Sequence, residues 1–268
     1  MIDTHVHVFP DSIAERAVGK LAAGVSKKPF TNGTLSDTIE KMKGWGVDEF
    51  WIASIATNEK QMVNVNNFAL STKGENVFPL GSVYPTSELA LSELERIYSL
   101  GIRGVKLHPE YQNFELSDRK VYPVYEFLQE KGMIVLFHSG KDSAYPFSYN
   151  ASPKSMAKVI SDFPSLKVIA AHFGGWSVWD EVYDYLAGKN IYFDTAYIAG
   201  ILDKSTAKKI LIKHGAERIV FASDCPWSTP LNELDFIKSL GINGSDLDLI
   251  KDINAKNLKI SAERGSLL

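Results

Sequence analysis

Cysteine is almost missing from this sequence: Cys225 stands alone in 268 residues. An intramolecular disulfide is therefore excluded, and the usage fits a reducing, cytoplasmic compartment. No run of roughly 18 apolar residues occurs, which excludes a transmembrane helix. The first residues have neither a basic patch nor an apolar h-region, so no secretory signal is expected. Long basic runs are absent too, and the formal net charge is −3. Neither nucleic acid nor an anionic membrane would find an electrostatic footprint. No linker, low-complexity tract or charge block divides the chain, so residues 1–268 read as a single domain.

What is present is a repeating unit. Short Val/Ile/Phe-rich runs at 1–7, 48–56, 77–84, 103–108, 133–138, 167–172, 191–195 and 218–224 read as strands. Helical patterns over 12–23, 34–44, 59–73, 86–100, 121–131, 153–162, 177–187 and 204–214 separate or follow them, and a last one covers about 246–262. Near-continuous apolar strands suit a parallel sheet covered by helices. Eight βα units in about 250 residues is the arithmetic of a (β/α)8 TIM barrel. An open doubly wound sheet is the alternative, but no glycine-rich phosphate turn follows any strand.

The histidines are placed unevenly. His5 and His7 lie two apart at the end of the first strand, where the period of two aims both at one face. His108, His138 and His172 end strands four, five and six, and Asp224 ends strand eight. In a TIM barrel those strand ends converge on the face that carries the chemistry. Only His214 sits elsewhere, closing a helix where a cation is favourable. Any one histidine could be a surface or hydrogen-bonded side chain; five of six at strand ends, with an aspartate, point to one assembled site.

Seven motifs carry the comparison further: IDTHVH (2–7), GVKLHP (104–109), VLFHSG (135–140), AHFGG (171–175), FDT (193–195), ASDCPW (222–227) and NAKNL (254–258). In content and order they resemble the amidohydrolase superfamily, most of all its amidohydrolase-related branch, which includes acid decarboxylases and lactone hydrolases. The resemblance implies a mononuclear metal site of His5, His7, His138 and Asp224. His172 then stands where the family has either a second-metal ligand or a catalytic histidine. Neutral imidazoles with a carboxylate suit a borderline cation such as zinc, and manganese or iron could use the same set. The resemblance and an aromatic content of 11% are compatible with a homodimer, although no interface is readable directly.

Such a site would hydrolyse a small amide, ester or lactone. A divalent cation acidifies bound water, Asp224 can take the proton and return it to the leaving group, and His172 can polarise the carbonyl or stabilise the oxyanion. Lys106 and His108 share a face of strand four; Lys106 is expected to pair with Asp3 or Asp194, and His108 to touch substrate or a ligand. Tyr84, Tyr111, Phe114, Trp176 and Trp227 follow strand ends and are candidate pocket walls, or packing for loops. Cys225 points away from the face of Asp224 and reads as structural.

The alternative is a nonoxidative, metal-dependent decarboxylase of a small unsaturated or aromatic acid. That chemistry needs a cation on the substrate carboxylate, for which arginine is the natural clamp. Arg16 follows strand one, Arg103 begins strand four at the wrong end, and no arginine follows strands five to eight at the mouth before Arg264. Lys27, Lys28 and Lys141 are imperfect substitutes. A non-enzymatic metal-binding protein on the same scaffold is the third reading, since fold does not fix function.

Overall fold

A computed structural model describes residues 1–25 and 28–265. Its strands are β1 (Ile2–Val6), β2 (Glu49–Ala53), β3 (Val77–Leu80), β4 (Gly104–Leu107), β5 (Ile134–Phe137), β6 (Lys167–Ala170), β7 (Tyr192–Asp194) and β8 (Ile219–Val220). The longer helices are α1 (Asp11–Val25), α2 (Leu35–Gly44), α3 (Met62–Ser71), α4 (Ala90–Ser99), α5 (Tyr122–Glu130) and α6 (Pro153–Asp162). They continue with α7 (Trp179–Tyr185), α8 (Lys204–His214), α9 (Pro230–Ser239), α10 (Gly244–Asp248) and α11 (Asn254–Glu263). No helix among the described residues is long and apolar enough to cross a membrane.

All strand pairs are parallel and follow sequence order, β1 to β3 in one sheet and β4 to β8 in another. Isolated bridges join the two sheets at both seams, Gly81 to Val105 and Val6 to Cys225. Backbone bonds reinforce them, from Lys106 N to Gly81 O at 2.8 Å and from Thr4 N to Phe221 O at 2.9 Å. The strands therefore run once around a TIM barrel, the expected fold.

Side chains alternate between two cores, as the strand period requires. Along β5, Ile134 and Leu136 join Trp51, Leu80, Ile169 and Val220 inside the barrel, and Ala255 and Leu258 of α11 pack into that group. Val135 and Phe137 face the helices, with Tyr125 of α5 and Val159 of α6. Lys106 and His108, and His138 after β5, continue the inward rows.

Three features depart from the sequence expectations. The ladders are shorter than the apolar runs, because pairing ends where the chain turns to present polar groups at the mouth. His108 and His138 thus lie one residue past β4 and β5, His172 two past β6, and Asp224 four past β8. Helix α9 went unread, although Pro230 sits in its first turn and the Thr229 hydroxyl caps Asn232 N. The last helical region is divided by a π-helical segment over Leu249–Ile253.

His214 also differs from its expected role. It is fully buried, stacked 3.8 Å from the Phe193 ring, and burial lowers its pKa to about 4. It is a neutral ring that accepts from Gly188 N at 3.2 Å and faces the Arg218 carbonyl, and no helix-capping cation.

Candidate active site

His5 lies within β1 and His7 just beyond it. The turn after β8 is laced to this strand, with Asp224 N donating to His5 O at 2.9 Å and His7 N to Cys225 O at 2.7 Å. Asp224 Oδ1 consequently stands 3.0 Å from His7 Nε2 and 3.5 Å from His5 Nε2. These three ligand atoms form one of two groups in the described residues with metal-binding geometry.

The outer nitrogens reveal the proton positions. His7 Nδ1 lies 3.0 Å from the Ala53 carbonyl, which only accepts, so that nitrogen carries the proton. His5 Nδ1 faces Asp194 Oδ2 at 2.9 Å, while Lys106 Nζ donates to His5 Nε2 from 3.1 Å. Both imidazoles therefore aim lone pairs at a carboxylate oxygen. Burial pushes the pKa of His5 well below the ordinary histidine range, which keeps it neutral. Two imidazole nitrogens and one carboxylate oxygen converge here, with the Lys106 amine reaching one of them, and the residues present fit a divalent metal.

His138 lies outside this triangle. Its Nδ1 is 3.1 Å from His172 Nε2, and its ring stacks 4.1 Å from His108 at 5°. His172 Nδ1 donates to Ala196 O at 2.9 Å, and the His172 ring centroid is 5.7 Å from that of His5. The five histidines predicted for the mouth thus form one contiguous group. His172 and Asp224 both adopt left-handed backbone, with φ near 61° for each. Non-glycine residues held there mark functional turns. Inward positions on β6 are Ile169 and Ala171, so simple alternation would send His172 toward the helices; the turn reverses it.

Lys106 is buried as expected, but its Nζ rests on His5 Nε2 instead of on Asp3 or Asp194. Burial lowers its pKa to about 8, opposed by the charges of Asp194, Asp224 and Asp142. Among the aromatics, Tyr111 stacks on His108 at 4.0 Å and 11°. Trp176 anchors the loops by backbone bonds, to Ser139 O at 2.8 Å and from Lys141 N at 3.0 Å, and its indole N–H has no partner. Trp227 N closes the turn on Asp224 O at 2.9 Å. Phe114 is buried in the outer core and Tyr84 packs against it. Cys225 is buried beside Val6, Val8 and Ile52, and burial raises its thiol pKa, as a structural role requires. Lys27 lies outside the described residues, and Lys28 and Lys141 are exposed.

Asp142 and Gln112 went unread. Asp142 Oδ2 stands 3.2 Å from His108 Nε2. Gln112 accepts from His108 N at 2.9 Å and donates to Ala56 O and Val83 O, each at 2.8 Å, tying the β4 loop to its neighbours. A polar residue four positions after each of two strand-end histidines was the available signal.

With a barrel fold and a histidine-rich metal geometry at its mouth, the class is that of metal-site TIM barrels. The chain matches the amidohydrolase family over residues 2–253 and belongs to it. A dihydroorotase of Helicobacter pylori strain HPAG1 is 27% identical over 183 residues, 65% of this chain and 48% of that one. The chain thus spans about half the length of this relative. An uncharacterized TIM-barrel protein from Bordetella bronchiseptica superposes with a TM-score of 0.80 at 20% identity, covering 98% of this chain and 99% of the other. The 5-carboxyvanillate decarboxylase of Sphingomonas paucimobilis does so with a TM-score of 0.76 at 14% identity, over 96% and 98%.

Proposed function

We propose that this protein hydrolyses a small amide, ester or lactone, using a divalent cation, zinc first, held by His5, His7 and Asp224. The observation that carries the reading is the triangle itself: both Nδ1 protons are committed outward, so both Nε2 lone pairs meet Asp224 Oδ1. A cation held there would acidify water and polarise a carbonyl near neutral pH. Membership of the amidohydrolase family and the likeness to a protein named dihydroorotase support hydrolysis over other chemistries.

The chain's own residues supply the proton movements. The Asp224 carboxylate accepts a proton from the attacking water and returns it to the leaving group. His172, with Nδ1 held on Ala196 O, donates to the developing oxyanion from Nε2 when that nitrogen already carries a solvent-derived proton before attack. Asp194 holds His5 in the tautomer the site needs. The modest net charge of −3 and the single buried cysteine support a small-molecule substrate and a cytoplasmic setting.

Decarboxylation is the second reading, and Lys106 is the observation that favours it: a buried amine beside His5 could hold a substrate carboxylate. No arginine shares that position, since Arg103 is held by the Tyr98 carbonyl and ring. The test is a panel of lactones, cyclic amides, esters and aromatic acids with zinc- or manganese-loaded protein, following proton release and carbon dioxide separately. Acid release without carbon dioxide supports hydrolysis; carbon dioxide alone from the acids overturns it.

A further inference from the structure

Strand β8 ends at Val220, yet the side chain that matters lies four residues further on, at Asp224. The neighbouring β7 stops pairing at Asp194, opposite Val220, and Thr195 N adds one more bond, to Val220 O at 3.2 Å. Residues Phe221 to Asp224 thus run on past the β7–β8 ladder while their buried amides still need acceptors. Each amide finds one, and each from a different element. Phe221 N donates to Ile250 O of the π-helical segment at 2.9 Å, and Asp224 N to His5 O of β1 at 2.9 Å. The other two acceptors are side chains: Thr195 Oγ1 for Ala222 N at 2.8 Å, and Asp3 Oδ1 for Ser223 N at 3.0 Å.

Thr195 does more than accept. Its hydroxyl also donates to Ala222 O at 2.8 Å, so one oxygen serves both main-chain groups of a single residue. A hydroxyl has one proton to give and lone pairs to receive, and this contact uses both. The next rung of the sheet is therefore made by a side chain, because the backbone after Thr195 is engaged elsewhere. Ala196 N turns back to Asp194 Oδ1 at 3.0 Å, and Ala196 O accepts from His172 Nδ1 at 2.9 Å. On the β1 side, Thr4 donates to Phe221 O from its amide at 2.9 Å and its hydroxyl at 3.0 Å. Thr195, Ala222 and Ser223 are fully buried, so no water stands in for a bond that is lost.

We propose that Thr195 is a positioning residue for Asp224, and that its hydroxyl sets where this carboxylate meets the nitrogens of His5 and His7. Asp224 has a φ of 61°, a conformation that a non-glycine residue keeps only when its surroundings impose it. Both ends of the turn are tied. The Thr195 contact fixes the peptide planes on either side of Ala222, and Trp227 N closes the far end on Asp224 O at 2.9 Å. Releasing the near end lets the chain rotate about Ser223. That rotation carries Asp224 Oδ1 away from its place 3.0 Å from His7 Nε2 and 3.5 Å from His5 Nε2. Strand β7 contributes no atom to this triangle. Asp194 at its end and Thr195 just after it nonetheless orient two corners, Asp194 through His5 and Thr195 through Asp224.

The inference rests on the reading that Asp224 holds the metal, and the experiment separates the two. Metal-stripped full-length protein is titrated with zinc against a chelator of known affinity, and the cobalt(II)-loaded protein supplies the d–d absorption spectrum of the site. The variants are Thr195→Val, Thr195→Ser and Thr195→Ala, with Asp224→Ala as control, each checked by circular dichroism. Thr195→Val keeps the shape and lacks the hydroxyl; it is expected to bind zinc about 10–100-fold more weakly, with an altered cobalt spectrum. Thr195→Ser keeps the hydroxyl and is expected to restore both readouts. Thr195→Ala removes the hydroxyl without a methyl in its stead, and serves where Thr195→Val does not fold. Wild-type affinity and spectrum in the folded hydroxyl-free variant overturn the proposal, as does a Thr195→Ser variant as weak as Thr195→Val. Unfolding of both hydroxyl-free variants assigns Thr195 to the fold at large and overturns it too. Unchanged affinity in Asp224→Ala overturns the metal reading and this inference with it. A loss in Asp224→Ala without one in Thr195→Val overturns the inference alone.

Discussion

His5 Nδ1 and Asp194 Oδ2 meet across 2.9 Å between β1 and β7, with side-chain exposures of 1% and 0%. The other oxygen of Asp194 accepts from His172 N at 2.7 Å and from Ala196 N at 3.0 Å. One buried carboxylate thus sets the tautomer of a metal-facing histidine and the left-handed turn that delivers another. Burial raises its pKa, while these amides and Lys106 act in the opposite direction.

Asp194→Asn should weaken the metal site by about 10–100-fold while leaving the fold intact. The asparagine carbonyl can serve the two amides, which turns its NH2 toward His5 Nδ1 and favours the wrong tautomer. Competition against a chelator of known affinity measures this; an unchanged metal affinity would show that Asp194 does not position His5.

Gly140 follows the β5 histidine and pins the loop that carries Asp142. Its φ is +89°, its amide donates to Ala151 O at 2.8 Å, and an added Cβ would meet the backbone N and O of Trp176. Gly140→Ala therefore combines positive-φ strain with a clash against main chain, and a loss of roughly 1–3 kcal/mol is expected. Chemical denaturation checks it, and stability equal to wild type would mean that the loop moves freely aside.

Glu233 of α9 joins the loops after β7 and β8, accepting from Ile198 N at 3.1 Å, Ala199 N at 2.9 Å and the Ser228 hydroxyl at 2.5 Å. Burial outweighs these bonds and raises its pKa from 4.5 to about 7. The folded state therefore favours the protonated form. Its stabilising contribution is complete below the unfolded value near 4.5 and is lost as pH rises through about 7. The whole effect is on the order of 3 kcal/mol at most. Melting curves from pH 5 to 8 should show wild type losing stability relative to Glu233→Gln; parallel curves would contradict the shift.

The barrel was legible because eight apolar runs of similar spacing leave few other solutions, and the histidines were legible because they end those runs. Strand lengths were not, since the apolar composition continues into turns that no longer pair; β8 has only Ile219 and Val220 in the ladder. Helix α9 was missed although its Thr229-Pro230 start is a local signal. Asp142 and Gln112 were missed for a different reason. Their roles depend on loops folding back over β4 and β5, and the four-residue spacing from His108 to Gln112 and from His138 to Asp142 is a local signal for the position but not for that return. Lys106 was placed on the correct face, but its contact with His5 joins residues 101 positions apart.

The most direct test is the metal content of the purified protein beside the His5→Ala/His7→Ala variant, measured by elemental analysis on folded samples. The expected result is one equivalent of divalent metal fewer in the variant, with the circular dichroism spectrum unchanged. Equal metal content in the two proteins would contradict the assignment of His5, His7 and Asp224 as the metal-holding triangle.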